Sequence, residues 1–306
     1  MIVFTAASAE TLFLKGLVEC KNGVLVTPRG LHTIEARGPV CFELTNPKRC
    51  LVTNPYRKLN YVFGLFESIA MWNGINNVET FKFYNKEMEK FSDDGYTFYG
   101  SYGEEFLAQV PHTIKLLQND RDTRQAVITI WKKNPHELSK DIPCTVMLHF
   151  MIRDFHLNLT VYMRSNDIWL GFPYDITNFS RIQQAMAATI DMEIGVLRHI
   201  AGSLHMYNTD IYKAEWALKY QGDTIDIPLA SGLDLRLLED TAKRCRKGLD
   251  VLQPTTDFGI MHTDLLWTHG QYKLLGNKYD YPEPYKSLIS RGKEVHGHFK
   301  DSKNPS

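Results

Sequence analysis

The chain has 306 residues with 35 basic and 35 acidic side chains, so its formal net charge is zero. That balance argues against a surface built to coat nucleic acid or an anionic membrane, and the length allows one sizeable core. Five cysteines, an odd number with no CxxC or Cys/His ligand spacing, point away from a disulfide framework or a zinc site and toward a reducing cytosol. The N-terminal stretch has no basic leader and carries Glu10 inside its apolar run, which predicts the start of the fold and not a signal peptide. No run of about 18 apolar residues exists, so no membrane span is expected.

Ser8 is placed to cap a short helix over residues 8–20, and Lys21-Asn22-Gly23 reads as a turn. Residues 24–26 and 33–36 read as strands flanking Pro28-Arg29-Gly30, a loop from which Arg29 reaches an anion or simply meets solvent. Residues 59–72 have helical apolar spacing, with Glu67 inside the run and expected on its exposed face. A second, more polar helix is expected over 79–90, then a Tyr/Gly-rich loop over 96–103 and a helix over 111–119. Residues 126–131 read as a strand, and a charged loop over 132–141 leads on.

Residues 146–152 and 157–163 alternate and form an expected hairpin across Arg153-Asp154-Phe155-His156. A helix over 179–193, a strand over 200–207, a helix over 210–220 and an amphipathic helix over 234–249 follow. Residues 282–306 are polar and charged, with a disordered end expected. This order of elements is that of an α+β domain.

Chemistry concentrates in residues 141–175. Cys144 follows a proline, Arg164-Ser165 suits an anion, and Asp167 and Asp175 flank a Gly171-Phe172-Pro173-Tyr174 turn. A buried inert thiol is the common fate of a lone cysteine. Beside Arg164-Ser165 and His205-x-Tyr207, a nucleophile acting on a phosphorylated small molecule is the stronger reading. A cysteine hydrolase using His149 or His205 has no recognisable partner to orient the base.

Pro143-Cys144, then Arg164-Ser165-Asn166-Asp167 and Gly171-Phe172-Pro173-Tyr174-Asp175, resemble the thymidylate synthase superfamily. Gly202-Ser203-Leu204-His205-Met206-Tyr207 is similar to its Gly-x-x-His-x-Tyr segment, and Arg29, Glu67, Tyr99-Gly100 and Asp122-Thr123-Arg124 fall in the expected order. The resemblance covers about residues 10–220. It implies one catalytic domain over 1–306, with 221–306 an unmatched extension of it. It also implies a large mixed or antiparallel sheet packed with helices, and a homodimer joined sheet to sheet. Asp175 where the synthase has Asn, and Thr145 where it has His, resemble deoxycytidylate and cytidylate 5-hydroxymethylases. Gln125 departs from many relatives, which have a second arginine there.

The resemblance further implies the roles. Cys144 adds to C6 of a pyrimidine nucleoside monophosphate and so activates C5. Methylenetetrahydrofolate supplies the carbon, and no metal takes part. Arg29, Arg164, Ser165 and, from the dimer partner, Arg124 bind phosphate and supply charge that favours the thiolate. Glu67 moves protons and Tyr99 packs near the reacting ring. His205 and Tyr207 hold the sugar hydroxyl, and Asp167 and Gly171 contact the folate. A structural role for Asp167 is the competing reading. Asp175 selects the base: a protonated carboxyl donates to cytosine N3 and accepts from N4, or an ionised one meets an N3-protonated ring. The expected activity is 5-hydroxymethylation of deoxycytidylate (dCMP) in the cytoplasm, or a host's if the chain is phage-encoded. The alternatives are cytidylate (CMP), a C5-methylase acting on deoxyuridylate (dUMP) or dCMP, and a non-catalytic nucleotide or RNA binder.

Overall fold

The computed structural model describes residues 1–132, 139–276 and 280–301. The first half contains β1 (Ile2–Ala6), α1 (Ala9–Lys21), β2 (Val24–Val26), β3 (Thr33–Glu35), β4 (Val40–Leu44), α2 (Tyr61–Asn73), α3 (Val78–Tyr84), α4 (Gly103–Asn119) and β5 (Val127–Thr129). The second contains β6 (Thr145–Arg153), β7 (His156–Met163), β8 (Asn166–Asp167), α5 (Phe172–Thr189), β9 (Glu193–Ala201), β10 (Leu204–Tyr207), α6 (Ile211–Ala217), α7 (Gly232–Arg246), α8 (Asp257–Leu275) and α9 (Tyr285–Asp301). Six strands form a mixed sheet in the order β1-β4-β9-β7-β6-β5, and β2-β3-β10-β8 form a smaller one. The fold is therefore α+β, as its sequence implied.

One face of the large sheet is dry. Leu157, Leu159, Val161 and Met163 of β7 alternate inward, as do Leu197 and Ala201 of β9. The central helix α5 lies on these two strands, α1 covers β1 and β4, and α4 covers β5. α2 packs on α4 and α5, and α7 packs on α2 with α8 outside it. Polar residues on the buried side of α5 anchor it: Gln183 Nε2 donates to the Leu157 carbonyl at 2.8 Å and Gln184 Nε2 to that of Pro47 at 3.0 Å. Each amide meets a carbonyl that would otherwise lie buried without a donor. Across the sheet, Met147, Tyr162, Ile194, Val196 and Ile200 lie half-buried or exposed on the open face.

Several expected elements shift. Ser8 caps α1, accepting from Thr11 N at 3.3 Å, as its sequence suggests. β1, β4, α8 and α9 have no counterpart among the expected elements. The expected helix over 79–90 is α3 followed by a 3-10 turn, Lys86–Phe91. α4 starts at Gly103, eight residues before the expected position, and runs through Pro111. A Cβ at Gly103 would lie 2.8 Å from the Ala70 carbonyl oxygen, so glycine is what lets α4 close on α2. α5 likewise begins at Phe172, seven residues early, because Pro173 sits in the first turn, where its missing N–H has no partner to lose. The expected strand over 200–207 is two strands joined at Gly202-Ser203. The charged loop expected over 132–141 lies outside the described residues at 133–138, as does the expected disordered end at 302–306; residues 285–301 are helical.

The β6–β7 hairpin turns on two residues, since Arg153 pairs with His156. Asp154 and Phe155 both take positive φ, 50° and 61°, as that turn requires. A bulky residue in this region costs about 1–2 kcal/mol relative to glycine. Phe155→Gly is therefore expected to raise stability by about 1 kcal/mol in urea unfolding; an unchanged or lower midpoint would contradict the turn assignment.

Candidate active site

Cys144 stands at the head of β6, one residue before a bulge between Thr145 and Met147. Bulges of this kind re-aim the neighbouring side chain. The thiol lines neither of two nearby clefts, but charged residues of both act on it. On one side Arg164 Nη2 approaches its Sγ at 3.9 Å. That arginine is held in place: Nε donates to the Pro143 carbonyl at 2.9 Å, Nη2 to that of Ile142 at 3.0 Å, and the guanidinium covers the Trp131 ring at 5.7 Å. Arg164 thus fixes the backbone that presents the Cys144 thiol.

The cleft on this side holds about 450 Å³ and is lined by Arg29, Arg164, Ser165, Ser203, His205 and Tyr207 among others. Arg29 takes φ 50° in the turn between β2 and β3. Ser165 Oγ lies 3.4 Å from His205 Nδ1, and the His205 ring meets Tyr207 edge-on at 5.7 Å. Arg29 and Arg164, with the hydroxyls of Ser165, Ser203 and Tyr207, converging on one hollow suit a phosphate and a sugar.

The opposite cleft is smaller, about 160 Å³, and contains Glu67, Tyr102, Asp141, Asp175 and Asn178 among apolar side chains such as Phe81 and Phe98. Glu67 does not take the outer face expected of it. α2 is packed by α4, α5 and α7, and Glu67 is half-buried and lines the smaller cleft. The Glu67 Oε2 atom is sealed from water without a protein partner. Burial, then the charge of Asp175, pushes the Glu67 carboxyl well above the usual range, and Arg181 opposes this.

Asp175 sits in the first turn of α5, half-buried, with its open side toward this cleft. Its Oδ2 accepts from Asn166 Nδ2 at 2.7 Å. Burial raises its pKa to about 7, the Asn166 bond pulling the other way. Gly171, the residue before α5, leaves room for this pair: a Cβ there would stand 3.2 Å from both Asn166 Nδ2 and Asp175 Oδ2.

The thiol is not lowered as the arginines alone would make it. Burial pushes Cys144 up, with Asp175 and Asp141 adding to the rise and Arg164 and Arg29 working against it. Burial outweighs the two arginines. Asp167 has the structural part named as its competing reading. Its Oδ1 accepts from Trp169 N and Leu170 N, each at 2.7 Å, which is structural, while its buried Oδ2 has no hydrogen-bond partner and lies 4.0 Å from His205 Nε2.

Five expected residues, Cys144, Tyr99, Arg124, Asp167 and Gly171, line neither cleft. Tyr99 carries the Lys132 ammonium over its ring at 4.3 Å, and Tyr102, three residues on, faces the smaller cleft in its place. Arg124 is exposed ahead of β5, its carbonyl 3.1 Å from His149 Nε2. Among the described residues no cluster of His, Cys, Asp and Glu is placed to hold a metal, and no helix is long and apolar enough to cross a membrane. Sequence reasoning missed Asn166, Tyr102, Asn178, Arg181 and His199 as site residues. Asn178 and Arg181 carried a readable signal, since polar residues three apart recur on the side of α5 that must be buried.

Comparison with known proteins agrees with this geometry. The thymidylate synthase family model matches residues 63–230, more than half of the chain. The chain belongs to the thymidylate synthase family. A deoxyuridylate hydroxymethyltransferase of Bacillus phage SP01 is 34% identical over 230 residues, 69% of this chain and 60% of the relative. The deoxyuridylate hydroxymethyltransferase of Pseudomonas phage M6 is 34% identical over 184 residues, 57% of this chain and 52% of the relative. A thymidylate synthase of Listeria innocua is 27% identical over 150 residues, 42% and 47% of the two chains. The matches thus span between about half and three-fifths of these relatives' lengths.

Because the Asp175 pKa is raised from the usual carboxylate value, the native state keeps a proton that the unfolded chain has released between pH about 4 and 7. Stability from this group is present at low pH and is lost as pH rises through about 7. Asp175→Asn keeps an acceptor for Asn166 and removes the ionisation. Its stability relative to wild type is expected to climb across that window by up to about 4 kcal/mol, read as thermal unfolding against pH. Parallel curves would contradict the assignment.

Proposed function

We propose that this chain is a folate-dependent C5 hydroxymethylase of a cytosine nucleotide, dCMP. The observation that carries the reading is Asp175, raised toward neutrality and set at the edge of a cleft beside Cys144. A carboxyl that holds its proton near pH 7 has one donor and one acceptor, the complement of cytosine N3 and N4. Uracil offers the reverse order and would leave buried groups unpaired, at about 1–3 kcal/mol each.

The residues then divide the work. Arg29, Arg164 and Ser165 hold the phosphate, and His205 with Tyr207 the sugar. The negative charge of the phosphate is met by both arginines, and desolvation of the cleft strengthens their pull on the thiol. The Cys144 sulfur adds to C6 and C5 gains carbanion character, which Asp175 supports by completing the hydrogen bonds of the base. Glu67 accepts and returns protons in the smaller cleft, including that lost from C5. Elimination of the thiolate closes the cycle and restores the aromatic ring.

Methylenetetrahydrofolate supplies the one-carbon unit, and water the hydroxyl, so dCMP, the folate and water become 5-hydroxymethyl-dCMP and tetrahydrofolate. The unpartnered Asp167 Oδ2 fits this co-substrate, since a pterin ring presents N–H donors to such an acceptor. No metal is assigned a part.

A second reading is the same reaction on dUMP. The names of the two phage relatives favour it. We infer also that two copies join across the open face of the large sheet. Support comes from its half-exposed apolar residues and from Arg124, whose backbone is tied to His149 on that face. The cytosol fits five free cysteines. One domain over 1–306 is supported by Tyr285 of α9, fully buried beside Arg181 of α5.

Folate-dependent release of tritium from C5-labelled dCMP, CMP and dUMP ranks the substrates. Release is expected chiefly from dCMP and is expected to vanish in Cys144→Ser; release from dUMP alone would overturn the reading of Asp175. Mixing inactive Arg124→Ala and Cys144→Ser chains is expected to restore about a quarter of wild-type activity, as random pairing into shared sites requires. No recovery would contradict the dimer.

A further inference from the structure

We propose that Asn166 and His199 determine base specificity: a buried donor chain from His199 through Asn166 fixes which oxygen of Asp175 accepts and which carries the proton. This deepens the role given to Asp175 above and rests on it. His199 lies in the middle of β9 with no exposed surface, among the rings of Phe42, Phe172 and Phe179 at 6.4, 5.5 and 5.9 Å. Its Nε2 is 3.2 Å from Asn166 Oδ1, and Asn166 Nδ2 is 2.7 Å from Asp175 Oδ2. Asn166 is itself buried, at 3% exposure.

Two arrangements satisfy these distances. In the first, His199 Nε2–H donates to the Asn166 oxygen and the Asn166 amide donates to Asp175. In the second, the amide is turned, His199 carries its proton on Nδ1, and Asp175 must donate. His199 Nδ1 is buried without a partner. The second arrangement therefore seals an unpaired N–H inside the sheet, whereas the first leaves only a lone pair unused. Buried N–H groups without acceptors are the rarer and costlier defect. Burial also drives the imidazole down to about 3, so it is neutral and has one proton to place.

The first arrangement confines Asp175 Oδ2 to accepting and leaves Oδ1 as the oxygen that carries the proton. The carboxyl then has one donor–acceptor order, and a base with the opposite order is mismatched at both atoms. The charge of Asp175 acts on Glu67 of α2, Tyr102 just before α4 and Cys144 at the head of β6, and Arg181 acts on Glu67. None of them supplies the order that Asn166 imposes, because each acts by charge and not by a directed bond to Oδ2.

The donor chain is tested first in the unaltered protein. Nitrogen-15 shifts of His199 are expected to show the proton on Nε2; a proton on Nδ1 overturns the proposal. The carboxyl carbon of Asp175, identified by its loss in Asp175→Asn, is then titrated in His199→Phe and Asn166→Ser. Phenylalanine fills the same ring-lined space, so this variant keeps the packing. Both midpoints are expected to rise from about 7, since a bond favouring the carboxylate is weakened or lost, and the double variant is expected to rise no further than Asn166→Ser. The dCMP-to-dUMP ratio of kcat/KM is expected to fall about tenfold in each single variant. An unchanged ratio, or unchanged midpoints in folded variants, overturns the proposal. A wild type that turns over neither nucleotide would instead strike the proposed function, while the tautomer and the midpoints still decide the donor chain.

Discussion

The site depends on one buried contact, the amide of Asn166 against the carboxyl of Asp175. The cleft removes most of the water that would stabilise a carboxylate, and one amide bond returns part of that stabilisation. Neither term dominates completely, so the group is poised near neutrality and not in the usual acidic range. The surrounding architecture keeps the contact dry and close. Gly171 has no side chain to separate the pair, and α5 is held on the sheet by Gln183 and Gln184.

The same desolvation governs the other reactive groups. Cys144 is pushed up despite two nearby arginines, and Glu67 is pushed up despite Arg181. Burial thus disfavours the charged forms of the Cys144 thiol and of the Glu67 and Asp175 carboxyls alike. In the proposed reaction an anionic ligand would change the balance through Arg29 and Arg164 while its base met Asp175, so that anchoring charge and base recognition would fall to different clefts.

Much of this was legible in the sequence. The β6–β7 alternation, the cap at Ser8 and the ordered motif residues each rest on short-range rules or on family pattern. Cys144, Arg164, Ser165, His205 and Tyr207 are near one another in the structure because Arg164 N donates to the Cys144 carbonyl, Ser203 N donates to that of Arg164, and β10 pairs with β8. What failed was a matter of tertiary context. Glu67 looked like an outer-face residue because its helix has apolar spacing, but α2 is enclosed by three other helices. The starts of α4 and α5 were hidden by Gly103, Gly171 and Pro173, which read as turn residues until close helix packing explains them. Asn166 was visible inside the motif, yet its bonding to His199 requires the register of distant strands. The C-terminal helices α8 and α9 bear no family pattern to read, and Tyr285 reveals their attachment only through Arg181 and His262.

The central claim is that Asp175 and the base share a single proton. Calorimetry at pH 8 in buffers of different ionisation enthalpy measures this directly, because the free carboxyl with a midpoint near 7 is then mostly ionised and cytosine N3 is bare. Binding of dCMP is expected to take up about one proton per site and binding of dUMP about none. Equal uptake for both nucleotides, or none for dCMP, would contradict the account.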